Sequence, residues 1–562
     1  MKTKFTIIAM CIGIFLCMLD TTIMNITLPA IQKGMSVDLN TLSWALNIYT
    51  ISFAVFTIPL GRIAEILGRH RVYIIGLFIF LLGSVGCGFS KDVYQLIAFR
   101  AAQSIGAAIV FPTSMVIGIS TTTIEKRQNV IAALGVTQGL AAALGPTIGG
   151  IVTQYLGWRW VFIINIPLIA IALFICLFSL KLKNEERTFA KIDVVGAILS
   201  MLFLFSLTLG LVKGREWSWF SAPIILLLAS SLIFLLLFIK YEKQCKEPMI
   251  PINLFKNRQF IGASLTVVLS NLFLIGVTVL LPTFLTKIQG ENELRAALLV
   301  TPISAMIFIF SPIAAILIKK LGSRVVIFSG FFAMTLAYVS LAYLDVSKSY
   351  TQMMISCLLL GFGYGIIVGP ITVLAASDFT GELLTASQSV IGVLRQIGTV
   401  LAVAIFVSSL TANISSAKEQ ALRYSEIEIN KLQIPNENKK IMQKQTEKQI
   451  LSEIRDTAST QHISAGERDA IIEKNYQKTL GNLEGSELNK AAREQIKRKV
   501  VKQVDAKIKK INEAINKTII KIKNYTQQNI SDAFLILYKW SIPFIFISCF
   551  ISAYFFRART RE

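Results

Sequence analysis

The chain has 562 residues, of which 54% are hydrophobic and only 16% are charged, and its mean hydropathy is +0.62. This composition is too apolar for a soluble protein of several domains and is typical of a helical protein that crosses the membrane many times. A net charge of +23 would suggest a nucleic-acid partner in a soluble chain. Here the basic residues divide unequally between the two sets of loops, and this division excludes nucleic acid as the partner.

A spanning helix needs about 20 apolar residues, and the sequence predicts fourteen such segments. Their approximate ranges are 5–30, 42–61, 72–90, 93–118, 129–155, 159–180, 192–212, 218–239, 259–286, 296–318, 325–344, 351–376, 383–410 and 532–556. The first range is too long for a cleavable signal peptide and runs directly into another apolar segment. The even number of spans places both termini on one side of the membrane.

The short loops predict the orientation. Loops and tails on the side of the termini carry about 22 Lys and Arg residues, whereas the opposite short loops carry about 8. Both termini are therefore expected in the cytoplasm.

One long polar segment, residues 411–530, separates the last two predicted spans and is expected outside the cell. Apolar residues near its end recur every three or four positions, which predicts an amphipathic helix leading into the last span. These residues are Val501, Val504, Ile508, Ile511, Ile515, Ile519 and Ile522. An antiparallel helical hairpin, broken at Pro435 and near Gly466, Gly481 and Gly485, is the simplest structure; a solvated, partly disordered insert is the alternative.

Asp20 lies in the middle of the first apolar span, within LDTTIMNITLP. A carboxylate at the centre of a bilayer costs at least about 2 to 3 kcal/mol, so its presence indicates a functional site. No other Asp or Glu of the chain lies as deep in a predicted span. Structural hydrogen bonding of Asp20 to Thr21, Thr22 and Asn25 is the alternative.

The tight loop between the second and third spans reads GRIAEILGRHRV. Its glycines permit close helix approach, and its acid lies between arginines with which it can form ion pairs that break as helices tilt. An ordinary basic cytoplasmic loop explains the arginines but not their spacing. The residues of this predicted conformational switch are Gly61, Arg62, Glu65, Gly68, Arg69 and Arg71.

Arg100 lies inside the fourth predicted span, about two turns from its outer end. A buried guanidinium needs a carboxylate, a carbonyl or water. Extension of the side chain to the outer surface is the alternative.

The fifth span contains GVTQGLAAALGPTIGG, in which small residues recur at four-residue spacing. Such glycines let helices touch, while a proline frees a backbone carbonyl and weakens the helix. The central residues of this stretch are Gly145, Pro146, Gly149 and Gly150.

These three strings and Arg100, in this order, resemble the major facilitator superfamily and specifically its fourteen-helix drug:proton antiporters, the EmrB/QacA-like branch. LDTTIMNITLP resembles the first-helix signature of that branch, GRIAEILGRHRV its cytoplasmic loop motif, and LGPTIGG its antiporter motif, while Arg100 falls on the fourth-helix arginine. In the second half, GFGYGIIVGP and ASQSVIGVLRQIGTVLAVAI are similar to the family and place Arg395 and Gln396 in the thirteenth span.

Three departures stand out. Glu65 replaces the usual aspartate of the loop motif, and Ser104 stands where a glycine is usual after the fourth-helix arginine. The corresponding loop of the second half, IKKLGSRV, is degenerate and has Lys319 where the acid would fall.

The resemblance implies an all-α membrane protein of the major facilitator fold. Residues 1–180 would form one six-helix bundle, 181–258 two extra helices with a cytoplasmic linker, and 259–562 the second six-helix bundle, with 411–530 inserted as an extracytoplasmic helical hairpin. It further implies a monomeric, multi-pass protein of a bacterial cell membrane.

The function predicted is proton-coupled efflux of lipophilic compounds, cationic or amphiphilic, by alternating access. Asp20 would carry the proton and Arg100 or Arg395 would approach it in one state, and the substrate cavity would include Asp20, Asn25, Arg395 and Gln396. The proton gradient would supply the energy, since no Gly-x-x-x-x-Gly-Lys-Ser/Thr phosphate loop is present. No metal is expected, because the seven cysteines and two histidines show no ligand or disulfide spacing. No enzyme activity and no cofactor are expected either.

Two other functions fit the sequence. An exporter or flippase of a lipid or amphiphilic metabolite could use the same fold. A membrane-anchored binding or sensory module built around residues 411–530 is the second alternative.

Overall fold

The computed structural model describes residues 2–180, 182, 185, 191–345, 350–451, 465–482 and 490–555. Among these residues the regular structure is entirely helical. The chain divides into two compact units, one formed by Met1–Ser409 with Leu535–Glu562 and the other by Leu410–Phe534.

Thirteen helices within the described residues are long and apolar enough to cross a membrane. A bent pair, Asn129–Ala141 and Leu144–Leu156, adds the fourteenth. The prediction of fourteen spans is therefore confirmed, and the 44° bend lies next to Pro146, whose missing N–H weakens the helix there.

The first half of the larger unit contains seven helices. They are α1 (Lys2–Met35), α2 (Leu39–Leu67), α3 (Arg69–Phe89), α4 (Val93–Ser120), α5 (Ile124–Leu156), α6 (Trp160–Ile163) and α7 (Asn165–Ser179). α1 packs against α5 and α7, and α4 packs against α2 and α3. The predicted sixth span is thus two helical segments that meet at Ile164.

Two further helices follow, α8 (Val194–Lys213) and α9 (Ala222–Glu242). α8 packs against α9 and against α2. Lys213, one residue beyond the predicted span 192–212, is the last residue of α8 and is buried. Its ammonium lies 4.1 Å from the ring centroid of Trp44 and pairs with Glu216.

The second half is built from five helices and the end of a sixth. They are α10 (Arg258–Phe284), α11 (Glu293–Leu321), α12 (Ser323–Ala342), α13 (Thr351–Ala376), α14 (Gly381–Ala402) and the end of α18 (Lys490–Ser548). α13 packs against α11 and α12, and α10 packs against α14. The two halves touch where α5 meets α11 and α13 and where α2 meets α14.

The same glycine turn occurs once in each half of the larger unit. Gly68 separates α2 from α3 with φ +110°, and Gly322 separates α11 from α12 with φ +81°. A residue with a Cβ is strained at such angles, so glycine is required at both turns. The degenerate second-half loop has therefore kept the turn of the first-half motif.

The smaller unit is helical, as predicted. Besides the first part of α18 it contains α15 (Ser408–Asn430), α16 (Asn436–Leu451) and α17 (Ala465–Gly481). α15 and α18 run antiparallel, because Tyr424 stacks on Tyr525 at 4.0 Å between ring centroids and Asn413 bonds to Ala533.

The insert is more than a hairpin, since α16 and α17 add to its core. Ile450 packs with residues of α15 and α18, and Ile472 packs with Val500 and Val504. The predicted break at Pro435 is confirmed, whereas Gly466 lies inside α17; Gly481 ends that helix, and Gly485 lies outside the described residues. The seven apolar positions predicted on α18 are all buried or half-buried.

Candidate functional site

Asp20 lies near the middle of α1 and is completely buried. Its Oδ2 is ion-paired with Arg100 of α4. Its Oδ1 accepts hydrogen bonds from Gln103 Nε2 at 3.0 Å and from Asn165 Nδ2 at 3.3 Å. Side chains of three helices, α1, α4 and α7, therefore meet at one carboxyl group.

Arg100 is 1% exposed and fully engaged. Its Nε donates to the carbonyl of Ala45 at 3.2 Å and its Nη1 donates to Gln103 Oε1 at 2.8 Å. The ring of Tyr49 lies 4.2 Å from its Cζ. Extension of Arg100 to the outer surface does not occur in this structure, because a carboxylate and a carbonyl are available inside the bundle.

The hydrogen-bond donors around Asp20 bear on whether its carboxyl group is ionised. Arg100, Gln103 and Asn165 all donate N–H groups to the carboxyl oxygens. A protonated carboxyl would place its own O–H against a donor, whereas an ionised carboxylate accepts all three bonds. The three donors therefore favour the ionised, ion-paired form of Asp20.

The alternative partners of Asp20 from its own helix are engaged elsewhere. Thr21 Oγ1 donates to the carbonyl of Cys17, and Thr22 Oγ1 donates to the carbonyls of Met18 and Leu19. The side chain of Asn25 lies outside the part of the chain that the structure describes.

Gln103 and Asn165 were missed by the sequence analysis. Gln103 follows Arg100 by three residues, so the helical period places both on one face of α4, and this spacing could have revealed it. Asn165 begins α7 and is an isolated polar residue in an apolar span. Ser84 of α3 completes the cluster by accepting a second bond from Gln103 Nε2 at 2.8 Å.

The small residues of the fifth span set the approach of α5 to α1 next to Asp20. A Cβ on Gly145 would lie 2.8 Å from Thr22 Cβ, and one on Gly149 would lie 2.9 Å from the Ile23 carbonyl oxygen. Gly150 instead faces α11, where a Cβ would lie 3.1 Å from that of Ala297. The glycines therefore serve two different interfaces.

The α2–α3 loop forms an ion-pair network around Glu65, which is 3% exposed. Arg62 Nη1 lies 2.8 Å from Glu65 Oε2, and Arg69 Nη2 lies 2.9 Å from Glu65 Oε1. Both arginines also reach α14, where Arg62 pairs with Glu382 at 3.2 Å and Arg69 donates to Thr385 Oγ1 at 3.0 Å. The network thus connects the two halves of the larger unit.

Two other residues of the predicted switch have different surroundings. Gly61 permits the contact with α14, since a Cβ there would lie 2.5 Å from Ser389 Oγ. Arg71 donates its Nε to the carbonyl of Leu182 at 3.1 Å.

A linker segment also reaches this network and was not foreseen. The buried carboxylate of Glu242, at the end of α9, accepts the backbone N–H groups of Met249 and Ile250 at 3.2 and 3.3 Å. Both residues line a small cleft together with Arg62 and Glu382. The linker is therefore anchored beside the contact of α2 with α14.

The structure does not bring Arg395 to Asp20. Arg395 Nη1 lies 3.4 Å from the hydroxyl of Tyr364 on α13, and that hydroxyl lies 3.3 Å from Asn271 Oδ1 on α10. Gln396 is buried, and its Oε1 has no hydrogen-bond partner among the described residues. The predicted cavity residues therefore form two groups, one in each half.

Two helical halves that meet along α5, α11 and α13 and along α2 and α14 are an arrangement typical of secondary transporters. Residues 10–403 match the Major Facilitator Superfamily, and the chain belongs to this family.

The similar curated proteins include multidrug transporters. The chain is 29% identical over 420 residues to Multidrug resistance protein Stp of Mycobacterium tuberculosis, covering 74% of this chain and 78% of that protein. It is 30% identical over 398 residues to Multidrug transporter protein MdtP of Bacillus subtilis, covering 71% and 73%. It is 28% identical over 418 residues to Riboflavin transporter RibZ of Clostridioides difficile, covering 74% and 90%.

A solved structure with the same fold is that of the human organic anion transporter MFSD10 (TETRAN). It covers 73% of this chain and 93% of its own with a TM-score of 0.50 at 14% identity. The predicted resemblance to the superfamily and to its multidrug branch is confirmed, and the chain is a multi-pass membrane protein of a transporter family.

Proposed function

We propose that this chain is a multidrug exporter that exchanges protons for lipophilic or amphiphilic small molecules across a bacterial plasma membrane. The observation that carries the proposal is the buried Asp20–Arg100 pair. The names of the curated relatives support multidrug efflux. The proton gradient is the energy source, both termini lie in the cytoplasm, and one chain is the working unit.

Asp20 is the proton carrier in this proposal. Its carboxylate is ionised while Arg100, Gln103 and Asn165 donate to it. Protonation of Asp20 removes the negative charge that holds Arg100. Conversely, withdrawal of Arg100 favours protonation of Asp20, because a nearby cation stabilises the charged carboxylate. A shift of α4 against α1 therefore couples proton binding to helix movement.

The α2–α3 network acts as the switch between the two access states. Arg62 and Arg69 hold α2 to α14 through Glu382 and Thr385. These contacts must break for the two halves to separate at this end, and Glu65 holds both arginines in position. Glu382 is 44% exposed, so its pair with Arg62 is weak enough to open during transport.

The energy is sufficient for export. One charge that crosses about 100 mV releases about 2.3 kcal/mol. That free energy corresponds to a substrate gradient of about fiftyfold per proton.

The test is pH-driven transport in everted vesicles, with a panel of cationic, neutral and anionic lipophilic dyes. We expect Asp20→Asn to abolish the response of transport to an imposed pH gradient, because the amide cannot take up and release a proton. The matched control is Asp469→Asn, which makes the same change at a 71% exposed position. Transport that still follows the pH gradient in Asp20→Asn, at equal protein level, would falsify the assignment of Asp20.

A second candidate is export of an amphiphilic metabolite. It is favoured by the relative named Riboflavin transporter RibZ. Cells that overproduce this chain and gain no protection from any dye or antiseptic, yet release riboflavin or a similar metabolite, would support this candidate over multidrug efflux.

A further inference from the structure

Arg395 is a buried cation that has no counterion among the described residues. It lies on α14 and is 4% exposed. The side-chain hydrogen bond from Arg395 Nη1 to the Tyr364 hydroxyl is long at 3.4 Å. Its Nε and Nη2 are buried and have no hydrogen-bond partner among the described residues.

No carboxylate of the described residues is paired with Arg395. The acid of its own helix, Glu382, is thirteen residues away, a rise of about 20 Å. The oxygens of Asp20 are occupied by donors from α4 and α7. An unpaired guanidinium in such a setting is costly unless an anion or water reaches it.

Arg395 lies within one turn of a position where α14 contacts the first half. Gly392, one turn earlier on α14, approaches Phe111 of α4 and Thr57 of α2. Gly398, almost one turn later, approaches α10 at Asn271. In transporters built from repeats, the interface between the repeats is where substrates bind.

The two buried arginines therefore differ. Arg100 has a carboxylate, a carbonyl and an aromatic ring as partners, and its charge is neutralised by Asp20. No carboxylate in the described part of the chain pairs with Arg395. The expectation of cationic substrates rested on Asp20 as the deep charge, but Asp20 is already paired with Arg100, whereas Arg395 has no carboxylate partner among the described residues.

We infer that Arg395 binds an anionic group of the transported molecule, so that the preferred substrates are amphiphilic anions or zwitterions with a carboxylate or a group of similar geometry. The planar guanidinium offers the two free nitrogen atoms, Nε and Nη2, side by side, which matches the two oxygens of a carboxylate. Tyr364 and Asn271 hold the arginine in place from α13 and α10. This inference rests on the proposed function as an exporter.

The experiment measures binding rather than transport. The purified full chain in lipid nanodiscs is titrated with a dansyl-labelled fatty carboxylate and with its methyl ester, and empty nanodiscs give the lipid background. We expect the wild type to bind the carboxylate at least about tenfold more tightly than the ester, as for one hydrogen-bonded charge pair. Arg395→Gln should remove this difference, and Arg395→Lys should retain part of it.

The control variant is Arg295→Gln. It removes the same charge from α11, at a position that is 61% exposed and paired with Glu291. Its preference for the carboxylate should equal that of the wild type. Thermal unfolding of each variant identifies loss of fold, and the wild-type comparison remains decisive if Arg395→Gln does not fold.

Three results overturn the inference: equal binding of the two probes by the wild type, no saturable binding of the carboxylate, or an unchanged preference in folded Arg395→Gln. These results are independent of proton coupling, which Asp20→Asn tests. A carboxylate preference that depends on Arg395, in a chain without pH-driven transport, would keep the anion site and reject the antiporter. The reverse pattern would keep the antiporter and reject the anion site.

Discussion

Gln103 holds the centre of the Asp20 cluster because its amide has both a donor and an acceptor. Its Nε2 donates to Asp20 and Ser84, and its Oε1 accepts from Arg100. A leucine of similar size would leave the carboxylate with one donor fewer and Arg100 with one acceptor fewer. The amide therefore stabilises the ionised form of the pair as a unit.

We expect Gln103→Leu to move the pH dependence of transport to higher pH by about one unit, since loss of a hydrogen bond to a charged group costs about 1.5 to 3 kcal/mol, partly offset by rearrangement. The shift is to higher pH because Gln103 donates to the ionised carboxylate of Asp20. Without this donor the carboxylate is less stable, so Asp20 releases its proton only at a higher pH. Ser84→Ala is the control, since it leaves every donor of Asp20 in place. A pH profile of Gln103→Leu that coincides with that of Ser84→Ala would contradict this role.

α1 and α5 touch at backbone distance beside the site. Gly145 and Gly149 lie against Thr22 and Ile23, which are two and three residues after Asp20 in the chain. The sequence analysis predicted close helix contact from the four-residue spacing of the glycines. It could not show which helix they touch, because the spacing is the same for any partner, and Gly150 in fact faces α11.

We expect Gly145→Ala to displace α1 from α5 and to lower transport about tenfold, because overpacking a close helix contact costs about 1 to 3 kcal/mol. The new Cβ would lie 2.8 Å from Thr22 Cβ and 3.1 Å from the Ile23 nitrogen. Gly481→Ala is the control, as no atom of the described residues lies within 4 Å of a Cβ there. The measurement is the initial rate of transport at matched protein levels. Equal rates for Gly145→Ala and Gly481→Ala would show that transport does not need the close contact of α1 with α5.

At the scale of the whole molecule, the chain combines a membrane unit with a smaller helical unit that has its own apolar core. In the smaller unit, Ala421, Ile429, Ile450 and Ile522 form one cluster, and Ile472 packs with residues of α18 in another. Arg468 Nε and Nη2 donate to Asp505 Oδ1 and Oδ2 at 2.7 and 3.0 Å. These hydrogen bonds to a carboxylate raise the pKa of the Arg468 guanidinium. This internal packing indicates that the unit can be removed without unfolding the rest.

We expect transport to survive removal of residues 425–524, with a short Gly-Ser linker joining Tyr424 to Tyr525. The two rings are stacked 4.0 Å apart, so the ends of the cut are already adjacent. The rate at equal membrane abundance should remain at least about half that of the full chain. A protein that is abundant but inactive would instead favour the binding or sensory function built around the insert.

The spans, the apolar face of α18 and the importance of Asp20 and Arg100 could be read from the sequence. A spanning segment is recognised from the hydropathy of its own residues. A charged residue in such a segment is recognised by itself, because its burial is costly wherever its partner lies. The partners were not visible. Asn165 is 145 residues from Asp20, and uncharged polar side chains are common enough in membrane helices that none stands out.

The sequence by itself determined the number of membrane helices, the helical insert and the charged residues that must be satisfied inside the membrane, because these follow from the cost of burying polar groups. Only the tertiary structure decided how each charge is satisfied. Arg100 is neutralised by Asp20 from a helix 80 residues earlier, whereas Arg395 has no carboxylate partner among the described residues. The physical reason is that burial and pairing depend on contacts between distant helices, which no local pattern records.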